Sequence, residues 1–127
     1  METPKLDAAA LATWLARYEH AWETKDPAAA AALFTEDALY HETPYAEPFR
    51  GRTGISDYWA RVTADQRDIR VDVTPLGVLD GGTGVARWHA TFTLISNGAK
   101  VELDGIFVLD FASPEQCRVL REWWHAR

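Results

Sequence analysis

Residues 32–59 read ALFTEDALYHETPYAEPFRGRTGISDYW, and this stretch decides the fold. It leaves an alanine-rich helix, turns at Thr35-Glu36-Asp37, and runs as a short strand over 38–42, where two-residue alternation puts Tyr40 and Glu42 on one side and His41 on the other. Thr43 to Gly51 follow as a loop carrying Pro44 and Pro48. Thr53 then caps a third helix with Ile55, Tyr58, Trp59 and Val62 on one face. A carboxylate among aromatic side chains, where a strand enters a proline-rich loop, reads as the mouth of a pocket.

Upstream, Leu11, Trp14, Leu15, Tyr18 and Trp22 recur at steps of three and four, one apolar stripe on a helix capped by Thr3-Pro4 or Asp7 and reaching about Lys25. Asp26-Pro27 restarts the chain as a second helix over 28–34. Downstream the period changes to two. Ile69, Val71 and Val73 face one way and Arg70, Asp72 and Thr74 the other, predicting a strand. Asp80-Gly81-Gly82 turns it into a strand over 85–96, Asn97-Gly98 predicts a two-residue hairpin into a strand over 99–112, and Ser113-Pro114-Glu115 turns into a final strand over 116–125. Helices first and an antiparallel meander after them make an α+β fold with one sheet face buried under the helices. On the long strand Leu103, Phe107, Leu109 and Phe111 face one side, while Ile106 and Val108 lie between Asp104 and Asp110 on the other. An apolar outer stripe of this kind predicts a homodimer through the outer sheet face.

The 127 residues fit a single domain spanning 1–127, and 47% apolar with 25% charged residues is the balance of a globular chain. No apolar run is long enough to span a bilayer and the N-terminus lacks the basic and apolar regions of a signal peptide, so the expected location is cytoplasmic, with no membrane partner. A net charge of -6, with the ten arginines scattered among acids, argues against nucleic acid. The single Cys117 offers no disulfide. His20, His41, His89 and His125 have no ligand spacing, and no phosphate loop, nucleophile elbow or nicotinamide fingerprint is present, so neither a metal nor a cofactor is expected.

The order of elements, with ARYEHAWETKDPAAAAALFTEDALYHETPYAEPFRGRTGI at 16–55, DGIFVLDF at 104–111 and REWW at 121–124, resembles the nuclear transport factor 2-like superfamily in its SnoaL-like and ketosteroid isomerase-like branch. The resemblance implies a cone-like curved antiparallel sheet wrapped around three N-terminal helices. It also implies a cofactor-independent isomerase, cyclase or lyase moving a proton on a small hydrophobic substrate, or alternatively a non-catalytic hydrophobic-ligand-binding or protein-interaction domain. Fold alone does not choose between them.

Tyr18 and Glu42 match in spacing the oxyanion-hole tyrosine and general-base carboxylate of the ketosteroid isomerases, a family whose chemistry pairs that base with a tyrosine and a protonated aspartic acid. The protonated aspartate falls on Phe107 here, which donates no hydrogen bond. Two carboxyls are available to replace it. Glu122 points inward if Trp124, two residues on, closes the cavity as its counterpart does in the family; Asp104 does so only if a bulge accompanies Gly105. The candidate catalytic set is therefore Glu42 as base with Tyr18 and Glu122 as donors. The candidate substrate-binding set is Trp14, Trp22, Tyr40, Tyr45, Phe49, Trp59, Trp88, Phe107 and Trp124. The plainer reading makes Glu42 a carboxylate capped by a loop amide or paired with Arg50 or Arg52, Arg121 and Glu122 a cross-strand charge set, and the aromatics core.

Overall fold

The structure, a computed structural model, describes residues 5–127. Of the two caps expected for the first helix, Thr3-Pro4 lies outside those residues. Asp7 fills the role, its side chain accepting from the Ala10 amide at 2.8 Å to open α1 (Ala8–Glu23). The apolar stripe of α1 is buried as its spacing requires, from Leu11 to Trp22. Asp26 caps α2 (Pro27–Ala31) in the same way, accepting from Ala29 at 3.0 Å.

Strand β1 (Phe34–His41) starts four residues earlier than the sequence predicts, because Phe34 already pairs with Cys117 of β6 (Gln116–Ala126) and the Cys117 amide donates to Leu33 O. A two-residue strand, β2 (Phe49–Arg50), folds back on Leu39 and Tyr40 and delivers the chain directly into α3 (Gly51–Thr63). That pairing displaces Thr53 as the cap: α3 begins three residues sooner, with Arg50 in the cap position, and carries no side-chain cap. Gly51 permits the tight junction. Its φ is +69°, and a Cβ there would meet Glu36 O at 2.8 Å.

The remaining strands, β3 (Gln66–Leu79), β4 (Thr83–Leu94), β5 (Lys100–Ser113) and β6, form the expected meander, and β1 joins β6 in parallel, giving a six-stranded unclosed sheet of order β2-β1-β6-β5-β4-β3. The β4–β5 connection is longer than the two residues predicted from Asn97-Gly98. Asp65 accepts from the Ser96 amide and hydroxyl at 2.7 Å each and from the Ile95 amide through its carbonyl, so the strands part before the turn. Gly98 still supplies the positive φ, +72°.

The sheet curves around the helices, and the core lies between them. Alternation holds: Ala86, Trp88, Ala90 and Phe92 of β4, Phe107 and Leu109 of β5, and Leu120 and Glu122 of β6 are buried. Each large apolar side chain so enclosed contributes roughly 1.5–3 kcal/mol relative to exposure. The outer face carries Arg87 with Asp104, His89 with Glu102, and Arg121 with Asp110. No bulge turns Asp104 inward; it stays exposed, paired to Arg87 at 2.7 Å. Among the described residues no helix is long and apolar enough to cross a membrane.

Candidate functional site

A partly enclosed cavity of about 290 Å³ lies between the helices and the inner sheet face. Its volume falls at the low end of the roughly 300–1,000 Å³ typical of small-molecule sites, which suits a ligand of one or two rings. Tyr18 and Trp22 reach it from α1, Tyr58, Trp59 and Val62 from α3, Tyr40 and Glu42 from the β1 end, Trp88 and Phe92 from β4, and Glu122 and Trp124 from β6. Larger depressions on the outside of the molecule are more open grooves, one of them lined by Arg67, Arg70, Lys100 and Arg127 beside Asp68 and Glu102.

The inner end is hydroxyl-rich. Tyr18 and Tyr40 share a hydrogen bond between their hydroxyl oxygens at 2.9 Å, and both rings are buried. Glu122 stands beside them at 5% exposure. Burial pushes its carboxyl well above the usual range, the nearby Glu42 charge adds to the rise, and hydrogen bonding from Tyr40 opposes it. Burial and the Glu122 charge likewise raise the phenols of Tyr18, Tyr40 and Tyr58, so all three remain neutral donors. Glu122 is the cross-strand partner of Phe107. The position that would carry a protonated acid in ketosteroid isomerases is thus apolar, and its neighbour on the next strand brings a carboxyl to the same row.

Glu42 is half-buried near the mouth. Trp124 Nε1 donates to its backbone carbonyl at 3.1 Å, which ties the end of β1 to β6 and holds the residue in place. Burial raises its carboxyl, and the Arg61 charge opposes the rise. Arg61 itself lies over the Phe49 and Tyr58 rings at 5.7 and 6.0 Å. Neither expected ion pair forms: Arg50 reaches Glu47 and Arg52 reaches Glu36, at 3.5 and 3.7 Å. Glu42 therefore keeps a free carboxyl.

All three candidate catalytic side chains line the cavity, as do Trp22, Tyr40, Trp59, Trp88 and Trp124 of the substrate-binding set. Four of that set do not. Trp14 lies behind Tyr18, stacked on it at 5.5 Å with its indole N–H given to Leu33 O. Phe107 is fully buried beneath Tyr18 and Trp88. Phe49 stacks on the outside of Tyr58 at 4.3 Å, and Tyr45 is wholly exposed in the loop. The sequence reading missed Tyr58, Gln66 and the apolar Val62, Phe92, Val101, Leu103 and Ala126 as lining residues, although Tyr58 and Val62 already stood on the inward face of α3. Gln66 opens β3 before the apolar alternation starts and gave no signal. Gly105 makes the wall possible, since a Cβ there would meet Trp88 at 2.7 Å and Trp123 O at 2.6 Å.

A helix-filled, unclosed curved sheet with a partly enclosed acidic and aromatic cavity defines a protein of the nuclear transport factor 2-like class. Residues 15–119 match the SnoaL-like domain, and the chain belongs to that family. No curated protein matches it. Among solved structures, the epoxide hydrolase/cyclase-like enzyme SalBIII of pyran ring formation in the polyether salinomycin is similar with a TM-score of 0.78 and 18% identity, over 90% of this chain and 89% of that one. A candidate isomerase from Bacillus subtilis gives 0.79 and 17% over 92% and 87%. A protein of ketosteroid isomerase-like fold from Catenulispora acidiphila DSM 44928, in complex with trimethylamine, gives 0.73 and 18% over 87% and 83%. At these identities the likeness is one of fold.

Proposed function

We propose that the cavity performs proton transfer on a small hydrophobic substrate, with Glu42 as base and Glu122 as the neutral acid, in an isomerase, cyclase or lyase reaction that needs no cofactor. The observation that carries this reading is the unequal placement of two cavity carboxyls. Glu122 sits enclosed and is pushed far up, whereas Glu42 is near the mouth with Arg61 restraining its rise. Two titratable groups driven apart by their surroundings divide into acid and base. Glu42 takes a proton from carbon or hydroxyl, the electron pair moves toward an acceptor oxygen, and Glu122 with Tyr18 and Tyr40 hydrogen-bonds or protonates that oxygen. General acid-base help of this kind contributes about 10²–10⁴-fold.

The test is deuterium exchange next to the carbonyl of 2-tetralone in D2O, followed by NMR. The protein accelerates exchange, and Glu42→Gln removes at least about 100-fold of that acceleration while 2-naphthol still raises the melting temperature. Unchanged exchange in Glu42→Gln overturns the assignment. A protein that binds 2-naphthol without accelerating exchange supports the alternative, a non-catalytic ligand-binding domain.

A homodimer through the outer sheet face belongs to the same proposal. Trp123 is 46% exposed there, paired across the strands with Ile106, and Val108 pairs with Val85 beside it. Light scattering on the purified chain is expected to give twice 14.3 kDa; a monomer at micromolar concentration leaves that face for a different partner.

A further inference from the structure

Gln66 is 4% exposed, lines the cavity, and belongs to none of the proton-transfer groups. Its side-chain orientation is fixed from one side: Trp22 Nε1 donates to Gln66 Oε1 at 2.9 Å. An indole N–H only donates, so the amide oxygen is the atom facing Trp22 and the NH2 group faces elsewhere. The backbone is fixed too, because Lys25 Nζ donates to the Gln66 carbonyl at 2.9 Å and the residue pairs with Leu94 of β4. Among the described residues, the Nε2 group has no protein partner. Nε2 is not one of the fully enclosed nitrogens without a partner, which on this cavity are the indole Nε1 atoms of Trp59 and Trp88, so the NH2 group keeps access to the open space.

The polar groups of the cavity therefore sort by kind. Tyr18, Tyr40 and neutral Glu122 at the inner end are hydrogen-bonded in a chain, which leaves one hydrogen to offer. Gln66 offers two more from the β3 wall. Trp59 and Trp88 add indole N–H donors without a partner, Glu42 presents an acceptor with no ion-pair partner, and among the described residues no lysine, arginine or histidine lines the space. Such a cavity is matched by a ligand that carries acceptor oxygens at two places and an acidic hydrogen toward Glu42. β3 and β6 are separated by β4 and β5 in the sheet, so the two donor groups approach the ligand from different walls.

We propose that Gln66 is a second ligand-recognition site, donating through Nε2 to an oxygen remote from the reacting one, and that the substrate is a compact one- or two-ring compound with two hydrogen-bond acceptors, such as a dicarbonyl or an oxygen heterocycle bearing a carbonyl. This rests on the proton-transfer reading for the first acceptor and extends it to the second. Gln66 reacts with nothing. It sets orientation, and with it which hydrogen meets Glu42.

The probe pair is 1,4-diacetylbenzene and 4-isopropylacetophenone, which share a shape and one carbonyl and differ in the second acceptor. Calorimetry on the wild-type protein is expected to show the diketone bound about tenfold more tightly, the net worth of one hydrogen bond. Gln66→Met brings the ratio to about one, chiefly by weakening the diketone. In the wild-type protein, the side-chain amide signals of Gln66 in a ¹⁵N correlation spectrum shift with the diketone and hold still with the monoketone, so the assignment stands testable even where Gln66→Met fails to fold. Equal binding of the two probes to the wild-type protein, or amide signals that ignore both, overturns the role of Gln66. If both probes bind equally and Glu122→Gln still weakens them, the proton-transfer site survives without Gln66. If neither binds, both readings fall together.

Discussion

On the inner face of β6, Glu122 is 5% exposed and its carboxyl is pushed well above the ordinary range by burial. On the outer face of the neighbouring strand, Asp104 is exposed, is held by Arg87 at 2.7 Å, and has its carboxyl lowered by that hydrogen bond. Both are carboxylates on paired strands of one sheet. What separates their chemistry is parity along the strand, which sends one into an aromatic cavity and the other into water beside a guanidinium. The same alternation that builds the core thus sorts acids into a proton donor and a solvated ion pair.

The largest expected effect comes from neutralising the inner carboxyl. Because Glu122 is raised in the folded protein, the folded state keeps a proton that the unfolded chain releases near the ordinary glutamate value. Stability therefore falls as pH rises from that value through the folded one, then levels, by about 1.4 kcal/mol for each unit of displacement. Glu122→Gln removes this loss. Urea midpoints are expected to show the variant gaining on the wild-type protein from pH 5 to pH 9, with the two closest at the acid end. A difference independent of pH would place Glu122 in an environment no different from that of Asp104.

A smaller effect is expected where the two faces meet. Gly105 leaves room for Trp88 inside and for the Trp123 carbonyl on the adjoining strand, both within 2.7 Å of an added Cβ. Gly105→Ala forces one of them aside and costs about 1–3 kcal/mol by overpacking. Thermal unfolding measures the cost, and the displacement of Trp88 should also weaken 2-naphthol binding. Full stability with intact binding would mean that the wall yields freely.

Much of this division was legible in the chain. The positions of Leu11 through Trp22 at helical spacing, and of Ile69, Val71 and Val73 at strand spacing, are local facts; the first became a buried face, and in the second Val71 is buried with Ile69 and Val73 packed partly buried beside it. The inward side of Glu122 followed from its two-residue distance to Trp124, and the outward side of Asp104 from its parity against Phe107. What failed to show was set by partners distant in sequence. Phe34 became a strand residue because Cys117 lies beside it, Asp65 opened the Asn97-Gly98 turn from 31 residues away, and Gln66 acquired its orientation from Trp22, 44 residues earlier. Tyr45 and Phe49 carried the aromatic character of a pocket wall, but the loop holding Tyr45 turns outward and Phe49 covers Tyr58 from behind.

The smallest effect belongs to the outer carboxylate. Arg87 grips Asp104 through two hydrogen bonds, at 3.2 and 2.7 Å, in the bidentate geometry that favours a charged carboxylate. Its carboxyl is lowered, so the pair contributes stability above the ordinary aspartate value and loses it as pH falls through the folded one, opposite in sign to Glu122. Both partners are open to solvent, where screening leaves such pairs weak. Asp104→Asn is therefore expected to shift the urea midpoint only slightly at pH 7, less so at high salt, and to leave exchange of 2-tetralone at the wild-type rate. Loss of exchange in this variant would mean that the outer ion pair is coupled through Gly105 and Trp88 to the cavity, and that the sheet does not keep its two faces chemically apart.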